Sequence, residues 1–384
     1  MLLTLMLVVG AVMGKGEEKD DAYKPLAVYT EVLARIKSDY VEEPDINQVT
    51  RGALQGLVEY IDPLSSYLSA DQYSELEERI AAPDKGTGWS TGLVVHKRGN
   101  YTAVMAVLPG SAADDAEIQP GDLIEAIDDR GTRLMPPSLL QARLSGEPGS
   151  AVRVLVRSSA DYGDPVEHRL VREKVVFPEV ERKMLEGTIG YIDVSALDED
   201  IVQQTAKAVR ALEKQGATSL ILDLRENAVG SPQDGIKLAD LFLNEGTVAS
   251  LRGQTKSEEV FTATAKATVT ELPLAVIVDR PTTGGAELAA AALADNGRAQ
   301  LLGERTYGLA AERSTIPLDD GAALILSTAI YYRPNGEALH EDGVDPENKI
   351  EPAALRRFRD PEDPTPKAER EDPFVLKAIE ILRG

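Results

Sequence analysis

The sequence predicts a multidomain α/β protein with a helical amino-terminal layer, a small β-rich domain and an α/β core. Three observations predict it. Apolar residues recur at helical spacing from Pro25 towards residue 80. Short β-type runs punctuated by glycine follow from Gly86 to Val171, and strands alternate with helices after Pro178. A chain of 384 residues can bury a sizeable core and divides into about two to three domains.

The amino terminus, Met1 to Gly14 (MLLTLMLVVGAVMG), is almost continuously apolar. It falls short of the roughly twenty residues of a membrane-crossing helix. It also lacks the basic residues that precede a signal peptide's apolar core. Two readings stand: a signal or membrane anchor beginning upstream of Met1, or an apolar tail packed on the domain. The polar stretch Gly16–Asp21 favours the first, and with it a cell-envelope location, exported or membrane-anchored (periplasmic or extracytoplasmic).

From Pro25 to Tyr40, the residues Tyr29, Val32, Leu33, Ile36 and Tyr40 share one helical face, read as a buried stripe. A second helix covers Gln48–Ile61 and ends at Asp62-Pro63, since proline disfavours the α region for its predecessor. A third starts with Ser69 or Asp71 as cap. Strands are then expected at Leu93–His96, Thr102–Val107, Leu123–Ile127, Val152–Val156 and Glu167–Val171, with two short helices among them.

In the last region Ile189–Val194, Ser219–Leu224, Leu272–Val278 and Ala299–Leu302 read as strands. Glu199–Lys214, Pro232–Leu243 and the alanine-rich Gly284–Leu293 read as helices. The run SLILDL is apolar throughout, as in a parallel strand covered on both faces. Pro361–Asp372 is a polar linker, and Pro373–Leu382 a closing helix. The expected segments are 1–14, 24–83, 84–172, 174–353 and 354–384.

Composition excludes several chemistries. With 41 basic and 64 acidic residues the net charge is −23, which argues against a nucleic-acid partner. The absence of cysteine excludes thiol nucleophiles, iron–sulfur clusters and thiolate zinc. Three scattered histidines offer no metal motif, so neither a metal nor a cofactor is expected. His96 and His168 read as surface or structural residues at strand ends. Asp114-Asp115, Asp128-Asp129 and Asp319-Asp320 read as solvated turns, because the spacing of a calcium loop is missing.

Several collinear segments resemble the carboxyl-terminal processing (tail-specific) proteases. They are Tyr40-Val41-Glu42, Ile61 to Leu68 (IDPLSSYL), Pro109 to Ala113 (PGSAA), Gln119 to Ile124 (QPGDLI) and Ile221 to Arg225 (ILDLR). Further on come Asp295 to Ala299, Gly303 to Gly308, Ala329 to Gly336 and Gly343 to Pro346. The resemblance covers about residues 25–382. It implies a PDZ domain inserted between the helical layer and a crotonase-like α/β protease core, with the reaction run by a serine, a lysine and a glutamine.

The matching positions hold other residues. Thr282-Thr283-Gly284-Gly285-Ala286-Glu287 stands for the serine segment, with Glu287 in register, and places Gly284 at the nucleophile. Gly308 to Arg313 (GLAAER) places Leu309 at the lysine and Arg313 at the glutamine. Glycine cannot attack, leucine cannot accept a proton and a guanidinium stays protonated. No lysine occurs between Lys266 and Lys349. Thr282 and Thr283 are the nearest hydroxyls, without an evident base. Arg313 reads as the structural ion-pair partner of the buried loop, ahead of an anion contact in the emptied pocket.

Gly230, in the Asn227-Ala228-Val229-Gly230 turn, and Gly285 stand where the family's oxyanion donors lie. Either an anion pocket survives there, or Val229 has altered the turn. Ser90-Thr91-Gly92-Leu93 aligns with the PDZ carboxylate loop, read as a receptor for apolar C-terminal tails or as a packing module. The expected protein is a pseudoprotease that binds protein or peptide C-termini or an active protease paralogue. The alternatives are an active serine-type endopeptidase with a rebuilt nucleophile, and a structural subunit of a homo-oligomer or mixed protease ring.

Overall fold

A computed structural model describes residues 20–81, 89–160, 162–174, 176–351 and 371–384, with 354, 355 and 358 between the last two stretches. The apolar segment 1–14 lies outside the described residues, as does most of the linker 361–372. The chain forms two compact units, Met1–Leu57 and Val58–Gly384.

The amino-terminal elements are α1 (Asp20–Asp39), α2 (Ile46–Glu59), β1 (Ser66–Leu68) and α3 (Ala70–Ala81). Helix α1 starts earlier than expected and keeps Pro25 inside it. Its apolar stripe is not buried: Tyr29, Val32 and Tyr40 are exposed, and Leu33 and Ile36 half-buried. Helical periodicity marks a face that can be covered, and α1 leaves most of this one open. Asp45 caps α2 by accepting the N–H groups of Asn47 and Gln48. At the start of α3 the Gln72 side chain reaches back and accepts the Ser69 N–H at 3.0 Å and the Ser69 hydroxyl at 3.3 Å.

The small β domain runs through β2 (Trp89–Ser90), β3 (Leu93–Arg98), β4 (Tyr101–Val107), α4 (Ala112–Asp115), β5 (Leu123–Ile127), β6 (Arg130–Gly131), α5 (Pro137–Leu144), β7 (Ala151–Arg157), β8 (Val166–Val171) and β9 (Glu173–Lys174). Its sheet has the order β3-β4-β5-β7-β8, with β6 on β5, so β3 is an outer strand. Both histidines lie inside strands rather than at their ends, His96 opposite Ala103 and His168 opposite Val154. Leu68, Leu76 and Ile325 join Leu93, Ile124, Leu140 and Val154 in one apolar cluster, which fastens the domain to α3 and the core. At its rim the Glu75 carboxylate takes guanidinium groups from Arg79, Arg130 and Arg143, the last at 2.5 Å.

Glu117 follows α4 with φ +57 and is exposed. A side chain in the left-handed region costs about 1 kcal/mol that glycine avoids. Glu117→Gly is therefore expected to stabilise the protein by about 1 kcal/mol in urea unfolding. An unchanged midpoint would show that the turn carries no strain.

The core contains β10 (Glu181–Leu185), β11 (Ile189–Asp193), α6 (Glu199–Lys214), β12 (Ser219–Asp223), α7 (Pro232–Asp240), β13 (Thr247–Arg252), β14 (Glu259–Thr262), β15 (Leu274–Val278), α8 (Gly284–Asp295), β16 (Gln300–Gly303), β17 (Ala311–Pro317), β18 (Ala323–Tyr332), β19 (Asn348–Lys349) and α9 (Pro373–Arg383). One sheet has the order β10-β11-β12-β15-β16-β19, parallel from β11 onward. Alternate residues face opposite sides. Leu220 and Leu222 enter the cluster beneath α6, α7 and α8, whereas Ile221 faces Phe374 and Ala378 of α9. A second sheet, β1-β18-β13-β14 with β17 on the other edge of β18, completes the core.

Helix α8 touches strands of both sheets and is buried from Gly285 to Leu293, which an alanine-rich surface permits. Its crossing with α7 depends on Gly235 and Gly285. A Cβ on Gly235 would lie 2.0 Å from the Gly285 carbonyl oxygen. Arg225 ties α9 to the sheet: its guanidinium bridges Asp223 and Asp372 at 2.5 and 2.8 Å and lies 4.6 Å from the Phe374 ring centre.

Candidate active site and peptide slot

Gly284, expected at the nucleophile, opens α8 with φ +58. Its nearest neighbour for a Cβ would be the Gly230 carbonyl oxygen at 3.6 Å, so the position has room. The turn after β12 and the start of α8 meet here. The Thr283 N–H donates to the Asn227 carbonyl at 3.0 Å, and a Cβ on Gly285 would strike the Ser231 carbonyl at 2.4 Å. Gly230 and Gly285, expected as oxyanion donors, thus flank Gly284. The two sequence-distant segments are brought together.

Glu287 joins this turn to the loop bearing Leu309. The carboxylate is fully buried and accepts the Gly308 N–H at 2.7 Å, the Leu309 N–H at 3.2 Å and the Thr306 hydroxyl. The Tyr307 N–H donates to the Thr282 carbonyl at 3.2 Å. Burial pushes the Glu287 carboxyl up to about 7, against the pull of its donors.

Arg313 lies on β17 opposite Ser327, whose hydroxyl donates to Asp62 at 3.1 Å. Part of the residue is exposed, yet burial lowers its guanidinium while the Asp62 carboxylate attracts it. No ion pair within contact distance forms among the described residues, so the expected structural pairing is a longer-range one to Asp62.

The two threonines differ. The Thr282 hydroxyl lies 2.9 Å from both the Leu224 carbonyl and Asp279 Oδ1, and accepts the Asp279 N–H at 3.0 Å. The Thr283 hydroxyl is buried and has no hydrogen-bond partner among the described residues.

Sequence reasoning missed a polar cluster beside this loop. Asp62, read only as a helix stop, accepts the Ser65 hydroxyl at 2.5 Å and the Ser327 hydroxyl at 3.1 Å, and lies 3.8 Å from His340. Burial works to raise the Asp62 carboxyl. The His340 ring, the Ser65 hydroxyl and two backbone N–H groups outweigh it and hold the carboxyl well below the usual range. The run Asp-Pro-x-Ser-Ser was the available signal.

At the peptide slot, Ser90 ends β2 and Leu93 begins β3, with Thr91 and Gly92 between them. Gly92 has φ +84, and a Cβ there would lie 1.9 Å from the Ser111 hydroxyl, so glycine is required. The Ser111 side chain caps α4. Thr91 is buried with its hydroxyl unpartnered among the described residues. Helix α5 flanks β3, whose outer edge carries no paired strand among the described residues. This gives a strand-and-helix slot for an added strand.

Among the described residues three carboxyls, two buried and one half-buried, lie above their ordinary range. Glu287 is one. Burial and the charge of Asp223 raise Asp193 to about 7, and burial raises Asp279 to about 6. A raised carboxyl binds its proton more tightly in the folded chain. Its stabilising contribution is complete below the unfolded value near 4 and is lost as pH rises through 6 to 7. Asp62 and Glu75 are lowered, and their contributions are lost only at acid pH. Stability is expected to fall by at least about 2 kcal/mol between pH 5 and pH 7.5 in urea titrations. Equal stability at both values would refute the three shifts.

Comparison with known proteins agrees with the geometry. The peptidase family S41 model matches residues 188–350, and a PDZ-domain model matches residues 104–158. The chain is 32% identical over 322 residues to a carboxyl-terminal-processing protease of Synechocystis sp. (strain ATCC 27184 / PCC 6803 / Kazusa), covering 82% of this chain and 74% of the relative. It is 29% identical over 319 residues to the carboxy-terminal processing protease CtpA of Bacillus subtilis (strain 168), covering 83% of this chain and 67% of the relative. The solved photosystem II D1 C-terminal processing protease shares the fold with a TM-score of 0.66, over 86% of this chain and 94% of that one, at 22% identity. With such a relative aligned along most of both chains, and the S41 and PDZ regions in place, this chain belongs to the carboxyl-terminal processing protease family.

Proposed function

We propose that this family member is a pseudoprotease, holding protein C-terminal tails or a partner protease without cleaving them. The observation that carries the reading is the pairing at Glu287. The two segments that would hold nucleophile and base are clipped together, yet they present Gly284 and Leu309. A hydroxyl needs a base and an open face to attack a carbonyl. The Thr282 hydroxyl lies 2.9 Å from Asp279 Oδ1 but is fully buried and also held by the Leu224 carbonyl. The retained slot at Ser90, Thr91, Gly92 and Leu93 supports tail binding by strand addition.

One observation favours an active enzyme instead, namely the unpartnered Thr283 hydroxyl at the start of α8. A fluorophosphonate probe decides between them: the pseudoprotease takes up no label, whereas labelling that Thr283→Ala abolishes would establish a rebuilt nucleophile. Fluorescence polarisation with a C-terminally apolar peptide tests the slot, and Gly92→Val should abolish binding. The exposed apolar face of α1 favours assembly as a homo-oligomer or with a paralogue, which mass photometry resolves. The envelope location belongs to the same proposal. Among the described residues no helix is long and apolar enough to cross a membrane.

A further inference from the structure

A row of carboxylates crosses one end of the parallel sheet on the side that α9 covers. Asp193 ends β11 and Asp223 ends β12, paired side by side, and Glu181 of β10 pairs with Asp193 on its other flank. Residues paired across neighbouring strands share a face. That face is the one on which Tyr191 and Ile221 cluster with Phe374 and Ala378 of α9. Tyr191 donates its hydroxyl to Asp223 at 2.8 Å and lies 3.5 Å from Asp193. Glu226 adds negative charge from the turn after β12, and its N–H donates to the buried Asp279 at 3.0 Å.

One guanidinium serves this row. Arg225 bridges Asp223 and Asp372, and among the described residues no cation lies within ion-pair distance of Asp193. Lys183, on β10, sits 4.6 Å from the Tyr191 ring centre. Burial first, and the charge of Asp223 next, let the half-buried Asp193 keep its proton up to about 7, against the pull of Arg225. Arg225 is also the anchor of α9. It stacks on Phe374, and its partner Asp372 caps the helix by accepting the Phe374 and Val375 N–H groups.

Loss of the Asp193 proton puts a second charge beside Asp223 and sets Asp193 and Asp372 in competition for Arg225. The ionised row is better solvated when the first turn of α9 lifts and water enters. We propose that α9 is a proton-controlled latch, docked on the sheet while Asp193 is protonated and released at its first turn when Asp193 ionises. The sign follows from linkage. A carboxyl that binds its proton more tightly in the docked state strengthens docking at low pH, and that contribution is lost as pH rises through about 7. The latch belongs to the core sheet and goes beyond the tail-binding reading without resting on it.

Hydrogen exchange of the full chain, read by mass spectrometry and corrected for the intrinsic rate at each pH, tests the latch. Amides of α9 are expected to exchange at lower protection than those of α6, because the helix opens on its own. Their protection should fall about tenfold between pH 6 and pH 8, since each unit above the docked value costs a factor of about ten. Asp193→Asn should reduce that fall to less than about twofold, while α6 keeps a pH dependence from Asp279 and Glu287. Asp372→Ala, which removes both the bridge and the cap, should lower α9 protection at pH 6 by at least about fivefold and leave α6 unchanged. Equal α9 protection at pH 6 and pH 8 in the natural chain would overturn the proposal. So would an undiminished fall in Asp193→Asn, which would assign the proton to another carboxyl. Identical protection of α9 and α6 at pH 8 would also overturn it, because the helix would then open only with the whole fold.

Discussion

A Gly284→Ser, Leu309→Lys, Arg313→Gln variant is expected to cleave peptides far faster than the natural chain. The argument is geometric. A Cβ at position 284 has its nearest neighbour at 3.6 Å, so a hydroxymethyl group fits. The φ of +58 costs a serine roughly 1 kcal/mol, which a core of this size tolerates. Lysine at position 309 would rise from a backbone already fixed by Glu287, beside the start of α8. Glutamine at 313 would offer an acceptor that a guanidinium lacks. General-base assistance contributes about a hundredfold to ten-thousandfold. Cleavage of an unfolded, C-terminally apolar substrate should therefore exceed the natural chain's by at least about a hundredfold, with fluorophosphonate uptake at position 284. A folded triple variant that neither cleaves nor labels would show that the retained backbone no longer forms a catalytic frame.

Glu287→Ala is expected to cause the largest loss of stability. Its carboxylate is fully buried and serves the Thr306 hydroxyl and the N–H groups of Gly308 and Leu309. Removing it orphans these donors and leaves a cavity beside α8. Each unsatisfied buried donor costs about 1 to 3 kcal/mol, and relief of the buried charge offsets part of the sum. A net loss of about 3 kcal/mol is expected in urea unfolding. Glu287→Gln should lose less, because an amide oxygen can still serve Thr306 and Gly308. If the alanine variant unfolds at the natural midpoint, the clip between α8 and the loop contributes nothing to the fold.

The elements with the strongest periodicity were legible. Glu199–Lys214 was read in full, because Val202, Val209 and Leu212 recur on one helical face, and all three are buried. The buried strands at Ser219 and Leu274 were legible as apolar runs. The second sheet was not. β17 is polar and exposed, and β13 and β14 lack long apolar runs, so only pairing with β18 makes them strands. Arg313 shows the same limit. Its side chain identified an altered site, but its place opposite Ser327, near the Asp62 carboxylate, is set by the pairing of two strands.

The sequence alone determined which chemistry was possible. Residue identities at Gly284, Leu309 and Arg313, and the absence of cysteine, are properties of the chain and need no coordinates. Tertiary structure decided which of those residues act together. Glu287 meets Leu309 and Gly284 meets Gly230 because a helix start, a turn and a loop converge at the edge of a parallel sheet. The same folding turned Asp62 from a helix stop into the acceptor of Ser65 and Ser327. The physical reason is range: periodicity and capping act within a few residues, whereas burial and hydrogen-bond partners are set by segments hundreds of residues apart.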